Sequence, residues 1–159
     1  MATRPLAVVV SSIGKLPLAG HTVFVVHHIV GLQELGYDVH YVERINRPGE
    51  AYDPRSNGMT DASEYAVDYL SSTLLRHGVG AWTFVDLDGT CHGSTLRELE
   101  DALDRADFVL NVTDPTWFDE LERCERRAYI DGDPMFTQVE METGQGPFPS
   151  RQVMRTTLH

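Results

Sequence analysis

The 159-residue chain is short of lysine, short of cysteine and without a long apolar run. Lys15 is its single lysine, and arginine supplies the rest of the positive charge. That bias fits a GC-rich bacterial genome. With 13 Lys and Arg against 24 Asp and Glu, the formal charge is −11, which opposes association with nucleic acid or an anionic membrane surface. Cys91 and Cys124 have no C-x-x-C spacing, and no Arg/Lys-flanked apolar leader precedes the first apolar run. A reduced, cytoplasmic setting is therefore expected. No stretch reaches the roughly 20 apolar residues that a membrane helix needs, because His27, His28, Gln33 and Glu34 interrupt the longest candidate. Two nucleotide-binding fingerprints are also missing. The loop Ser11-Ser12-Ile13-Gly14 has neither G-x-G-x-x-G nor G-x-x-x-x-G-K-[ST] spacing, which disfavours classical NAD enzymes and P-loop NTPases.

What is present is an ordinary globular composition, 42% hydrophobic, at a length that builds one core without disulfide or metal support. Short β-rich runs at Leu6–Ser12, Tyr37–Glu43, Ala81–Val85, Phe108–Val112 and Ala128–Asp131 alternate with helical patterns. That order predicts a Rossmann-like three-layer α/β/α sandwich with a mostly parallel sheet of about five strands. Thr22–Leu35 reads as a heavily buried helix closed by Gly36. Asp61-Ala62-Ser63-Glu64 reads as the cap of a second helix stopping near Gly78, and Thr95-Leu96-Arg97-Glu98 as a capping box for a third. A last short helix is expected over Thr116–Glu122. The Pro/Gly-rich Asn46–Gly58 reads as a specificity-bearing surface loop. Residues 1–137 form the expected domain; 138–159 lose apolar periodicity and read as a linker or tail.

In an open parallel sheet, ligands collect beyond the carboxyl ends of the strands, where the strand order reverses. That rule gathers Ser11, Ser12 and Gly14 after the first strand, Thr113 and Asp114 after the fourth, and Asp131, Gly132 and Asp133 after the fifth. Gly20 and His21 open the first helix beside them. A helix dipole disfavours a cation at His21, and a neutral imidazole suits general-base work if a carboxylate holds its other nitrogen. Asp114 is placed to be that carboxylate. The bland reading is that His21 caps the helix and Asp114 starts a turn before Pro115; both readings are open. Ser12, Gly14 and Gly20 are the expected ligand-facing loop positions. Trp117 and Phe118, close after Asp114, are placed to stack on an acceptor, with Asp131 and Asp133 beside them. Asp131-Gly132-Asp133 followed by Pro134 reads as turn chemistry, so no metal is expected. His27 and His28 are adjacent on a helix and point in different directions.

The order strand, glycine-bearing loop, Gly20-His21, apolar helix, and then Leu35-Gly36-Tyr37-Asp38-Val39-His40-Tyr41-Val42 resembles the opening of GT-B glycosyltransferases. The runs Ala106–Val112 and Arg127–Pro134 look like the same N-terminal, acceptor-side domain. The resemblance implies that His21 is the base deprotonating an acceptor hydroxyl, that Asp114 supports it, and that a nucleotide-sugar donor serves as co-substrate with no tightly bound cofactor. The proline usual shortly after the histidine in plant-like families is absent. GT-B enzymes hold the donor in a second Rossmann-like domain, which 159 residues do not supply. The chain is thus expected to be an acceptor-binding half, incomplete alone, working with a donor domain in cis or in trans. A homo-oligomer is left open. The competing expectation is a non-catalytic Rossmann-like module that binds a small molecule or a protein partner. Flavodoxin-like and response-regulator-like readings are weaker, lacking a Ser/Thr-rich phosphate loop and an acidic pair at the first strand's end.

Overall fold

The computed structural model describes residues 4–113, 116–132 and 135–144. The five expected strands form as β1 (Leu6–Val10), β2 (Asp38–Arg44), β5 (Ala81–Val85), β7 (Phe108–Val112) and β8 (Arg127–Ile130). All five are parallel, in the spatial order β5-β2-β1-β7-β8. A three-residue strand the sequence did not announce, β6 (Cys91–Gly93), adds antiparallel to β5 and makes the sheet six-stranded. The architecture is a mixed α/β fold with a mostly parallel sheet, compatible with a Rossmann-like arrangement. Numbered along the chain, the parallel strands lie 3-2-1-4-5. The order therefore reverses between β1 and β7, and the carboxyl ends of these two strands are where open parallel sheets hold their ligands.

β1 is buried on both sides, which is why it reads as a continuous apolar run rather than an alternation. Ala7 and Val9 pack with Val25 and Ile29 of α1 (Ala19–Glu34) and with Leu70 and Leu74 of α2 (Glu64–Arg76). Val8 and Val10 pack with Leu99 and Leu103 of α3 (Leu96–Arg105) and with Leu121 of a 3-10 helix at Asp119–Arg123. Each buried Val, Ile or Leu among them stabilises the fold by about 1.5–3 kcal/mol.

α1 starts three residues earlier than expected, with Leu18 as a cap that offers no side-chain acceptor. His21 is consequently inside the first turn and does not cap the helix. Nor is α1 buried on every side, because Val23 is 52% and Phe24 40% exposed. Its end follows expectation. Gly36 takes φ +91°, and the amides of Gly36 and Tyr37 bond back to the carbonyls of Gln33 and Leu32, as a Schellman motif requires. The capping box at Thr95 and Glu98 also forms, whereas Ser63 before α2 makes no side-chain cap bond.

The expected loop Asn46–Gly58 contains the first strand of a small hairpin, β3 (Ala51–Asp53) paired antiparallel with β4 (Gly58–Thr60). A short helix α4 (Phe136–Thr143) runs across the expected domain boundary at 137, and 145–159 lie outside the described residues.

Candidate functional site

The carboxyl ends of β1 and β7 are tied together before any ligand is considered. Ser11, fully buried, donates its hydroxyl to the Val112 carbonyl at 2.7 Å. One residue further, Ser12 Oγ lies 3.1 Å from His21 Nε2, and on the other side of the ring Thr113 Oγ1 lies 3.4 Å from Nδ1. The imidazole is thus held between the ends of the two strands that flank the reversal point. Thr113 adopts φ +65°, a left-handed backbone that is costly for a β-branched residue. Tyr129 closes this corner by donating toward the Thr113 carbonyl (3.3 Å) and Asp131 Oδ1 (3.4 Å). Asp114 and Asp133, expected as orienting carboxylate and acceptor contact, lie outside the described residues.

A serine hydroxyl 3.1 Å from an imidazole nitrogen has the spacing of a nucleophile and its base. Burial decides against that role, since Ser12 is 0% exposed and offers a substrate no approach. Its hydroxyl holds the ring. His21 itself is half-buried and reachable.

The loop after β1 is folded inward. The Ile13 amide donates to Tyr41 Oη at 3.0 Å, and the Gly14 and Lys15 amides donate to Glu43 Oε2 (3.0 Å) and Oε1 (2.5 Å). Tyr41 in turn donates to Glu43 Oε2 at 2.9 Å. Three successive amides are therefore taken by side chains of β2. Gly14, expected to face a ligand, is instead packed on α2, where a Cβ would stand 2.6 Å from the Ala66 carbonyl oxygen. Gly20 is exposed in the first turn of α1. Burial pushes the Glu43 pKa up to about 7, against the Lys15 ammonium and the bonds from Gly14, Lys15 and Tyr41, which all favour the carboxylate. Lys15, 2% exposed, places its ammonium 3.5 Å from Thr116 Oγ1 and 4.0 Å from Glu50 Oε1.

The aromatic pair expected on the acceptor side is placed elsewhere. Phe118 is 5% exposed, sits in the core with Leu99 and Leu121, and carries the Arg44 guanidinium over its ring. At that burial the ring offers an acceptor little surface to stack on. Trp117 is half-buried against the same cluster with the Arg127 guanidinium over its ring, on the α3 side of the sheet. Asp131 is half-exposed at the end of β8. Among the described residues, no three His, Cys, Asp or Glu side chains group as a metal ion would need.

Glu43 and Tyr41 were not singled out from the sequence. The available signal was alternation along β2, where Val39, Tyr41 and Glu43 share one face; a carboxylate in a core register needs donors, and the loop amides are those donors. At the opposite end of β2, His40 is buried with Nε2 2.9 Å from Thr83 Oγ1, and burial pulls its pKa down to about 4.

Compared with known proteins, the chain matches no family model, no curated protein and no solved structure.

Proposed function

We propose that the chain is the acceptor-binding half of a GT-B-like glycosyltransferase, a Rossmann-like three-layer α/β/α domain that needs a donor-binding partner domain to turn over. The observation that carries the reading is the position of His21. It is a half-exposed imidazole in the first turn of the first helix, gripped by Ser12 and Thr113 at the reversal of the strand order. General-base catalysis asks that one imidazole nitrogen be held while the other presents its lone pair to the substrate, so in the proposed reaction the acceptor hydroxyl takes the place of the Ser12 hydroxyl at Nε2 while Thr113 keeps Nδ1 oriented.

In the proposed reaction an acceptor hydroxyl gives its proton to the His21 imidazole as its oxygen bonds to the anomeric carbon of a nucleotide-sugar. The bond from that carbon to the nucleoside diphosphate breaks, and the diphosphate leaves with the bonding pair. The second domain supplies most of the donor's contacts. The amides of residues 13–15 are already engaged by Tyr41 and Glu43, so this loop contributes none of the usual phosphate cradle. Replacing His21 with Ala in the complete assembly should reduce turnover by a factor of about 10²–10⁴ with the fold intact. Near wild-type turnover in that variant removes the assignment.

A second reading is a non-catalytic partner module. The exposed apolar residues Leu18, Val23 and Phe24 around the start of α1 favour it. One mixing experiment separates the two. Sugar-nucleotide turnover on combining the chain with a donor domain supports transfer, and association without turnover of any donor supports the module.

A further inference from the structure

We propose that Glu43 is the positioning residue of the His21 site, its carboxylate fixing the loop that brings Ser12 to the imidazole. The catalytic role of His21 rests on the transferase reading; the coupling between Glu43 and the ring rests on geometry alone.

Ser12 is followed by three residues whose amides all point toward β2. With Ile13 on Tyr41 and Gly14 and Lys15 on Glu43, the chain leaves β1 in one direction only. The loop is held from the other end by the Leu16 amide, which donates to the Ser12 carbonyl at 2.9 Å. Ser12 thus lies between two constraints, and its hydroxyl reaches His21 Nε2 because the loop cannot swing. The carboxylate occupies the kind of place, beside consecutive amides after the first parallel strand, where related sheet orders seat a ligand phosphate. Here the protein provides the anion itself, and the loop becomes a rigid support.

Chemistry restricts what can replace Glu43. Ionised, as it is above about pH 7, the carboxylate accepts at both oxygens, matching donors on each: Lys15 on Oε1, and Gly14 with Tyr41 on Oε2. Glutamine keeps the shape but turns its carboxamide NH2 toward one side's donors, so a bond there is lost and the donor facing it stays buried without an acceptor. Tyr41→Phe removes less, releasing Ile13 and one donor to Glu43.

The test uses the whole chain and reads the His21 ring directly. In Glu43→Gln, hydrogen exchange at the Gly14 and Lys15 amides should accelerate by at least tenfold, and the His21 side-chain ¹⁵N resonances should move. Tyr41→Phe should accelerate exchange at Ile13 and move the His21 resonances less. Asp104→Asn, which breaks an exposed ion pair with Arg123, should change neither. Should Glu43→Gln not fold, Tyr41→Phe carries the test alone. Loosened loop amides with unmoved His21 resonances would overturn the proposal, as would amides that stay protected. In the complete assembly, Glu43→Gln should lower kcat with the donor KM unchanged. If His21→Ala proves dispensable for turnover, the transferase reading fails while the resonance arm still decides the coupling.

Discussion

Ser12 Oγ and His21 Nε2 meet at 3.1 Å, joining the end of the first strand to the first turn of the first helix. The ring's other nitrogen faces Thr113 Oγ1, whose own proton is directed to the Val112 carbonyl at 2.7 Å. A hydroxyl has one proton, so Thr113 can only accept from Nδ1. The hydrogen then belongs on Nδ1, and the Nε2 lone pair takes the Ser12 hydroxyl.

This tautomer is a first expected outcome. In ¹⁵N spectra of the neutral ring, Nδ1 should show the protonated shift and Nε2 the unprotonated one. Ser12→Ala should move Nε2 far more than Nδ1. A protonated Nε2 in the wild type would reverse the direction of the Ser12 bond and with it this assignment.

Gly14 and Gly20 flank the same site and should respond oppositely to alanine. At Gly14 a Cβ would meet the Ala66 backbone oxygen at 2.6 Å, and neither partner can turn aside. Gly14→Ala should cost about 1–3 kcal/mol, the usual range for overpacking. At Gly20 no described residue stands within 4 Å of an added Cβ, and the residue is in a helix. Gly20→Ala should be neutral or stabilise by up to about 1 kcal/mol. Urea unfolding of the two variants checks both signs.

Much of the sheet was legible because its central strands are buried on both faces and stand out as apolar runs, as Leu6–Val10 does. Gly36 was legible for the same kind of local reason. The start of α1 was not: capping rules look for a side-chain oxygen, and Leu18 has none. β6 is three residues long, Cys91-His92-Gly93, too short to show alternation, and the hairpin of β3 and β4 hides in a Pro/Gly-rich stretch. At the site, Ser12 and Thr113 followed from the strand-end rule. Glu43 did not, because its role depends on amides 28 and 29 residues away, and pairwise closeness of that kind leaves no local pattern. Phe118 misled for a related reason: adjacency to a strand end does not say which face of the sheet a ring will cover.

Gly132 bears on His21 through Thr113. A Cβ there would approach Thr113 Cγ2 to 2.7 Å, and Thr113 already holds a left-handed backbone at φ +65°. Gly132→Ala should destabilise by about 1–3 kcal/mol in the wild type and by much less in a Thr113→Gly background. A double-mutant cycle should return a coupling of about 1 kcal/mol or more. Additive effects would mean that the two residues do not press on one another.

The pH dependence of stability should contain two opposed contributions from β2. Glu43 has its pKa raised by burial from 4.5 to about 7, so the folded state holds a proton that the unfolded chain has released. Its contribution is complete below pH 4.5 and is lost as pH rises through about 7. His40 has its pKa lowered by burial from 6.5 to about 4, so its contribution is complete above 6.5 and is lost as pH falls through about 4. Each shift corresponds to about 3 kcal/mol, and in the overlapping range the two nearly cancel. Single variants should expose them. Relative to wild type, Glu43→Gln should gain stability as pH rises from 4.5 to 7, and His40→Gln should gain it as pH falls from 6.5 to 4. All other titrating groups are common to the three proteins, so urea titrations across that range isolate each difference. A pH-independent difference for Glu43→Gln would mean that the loop amides and Lys15 together offset the burial of its charge.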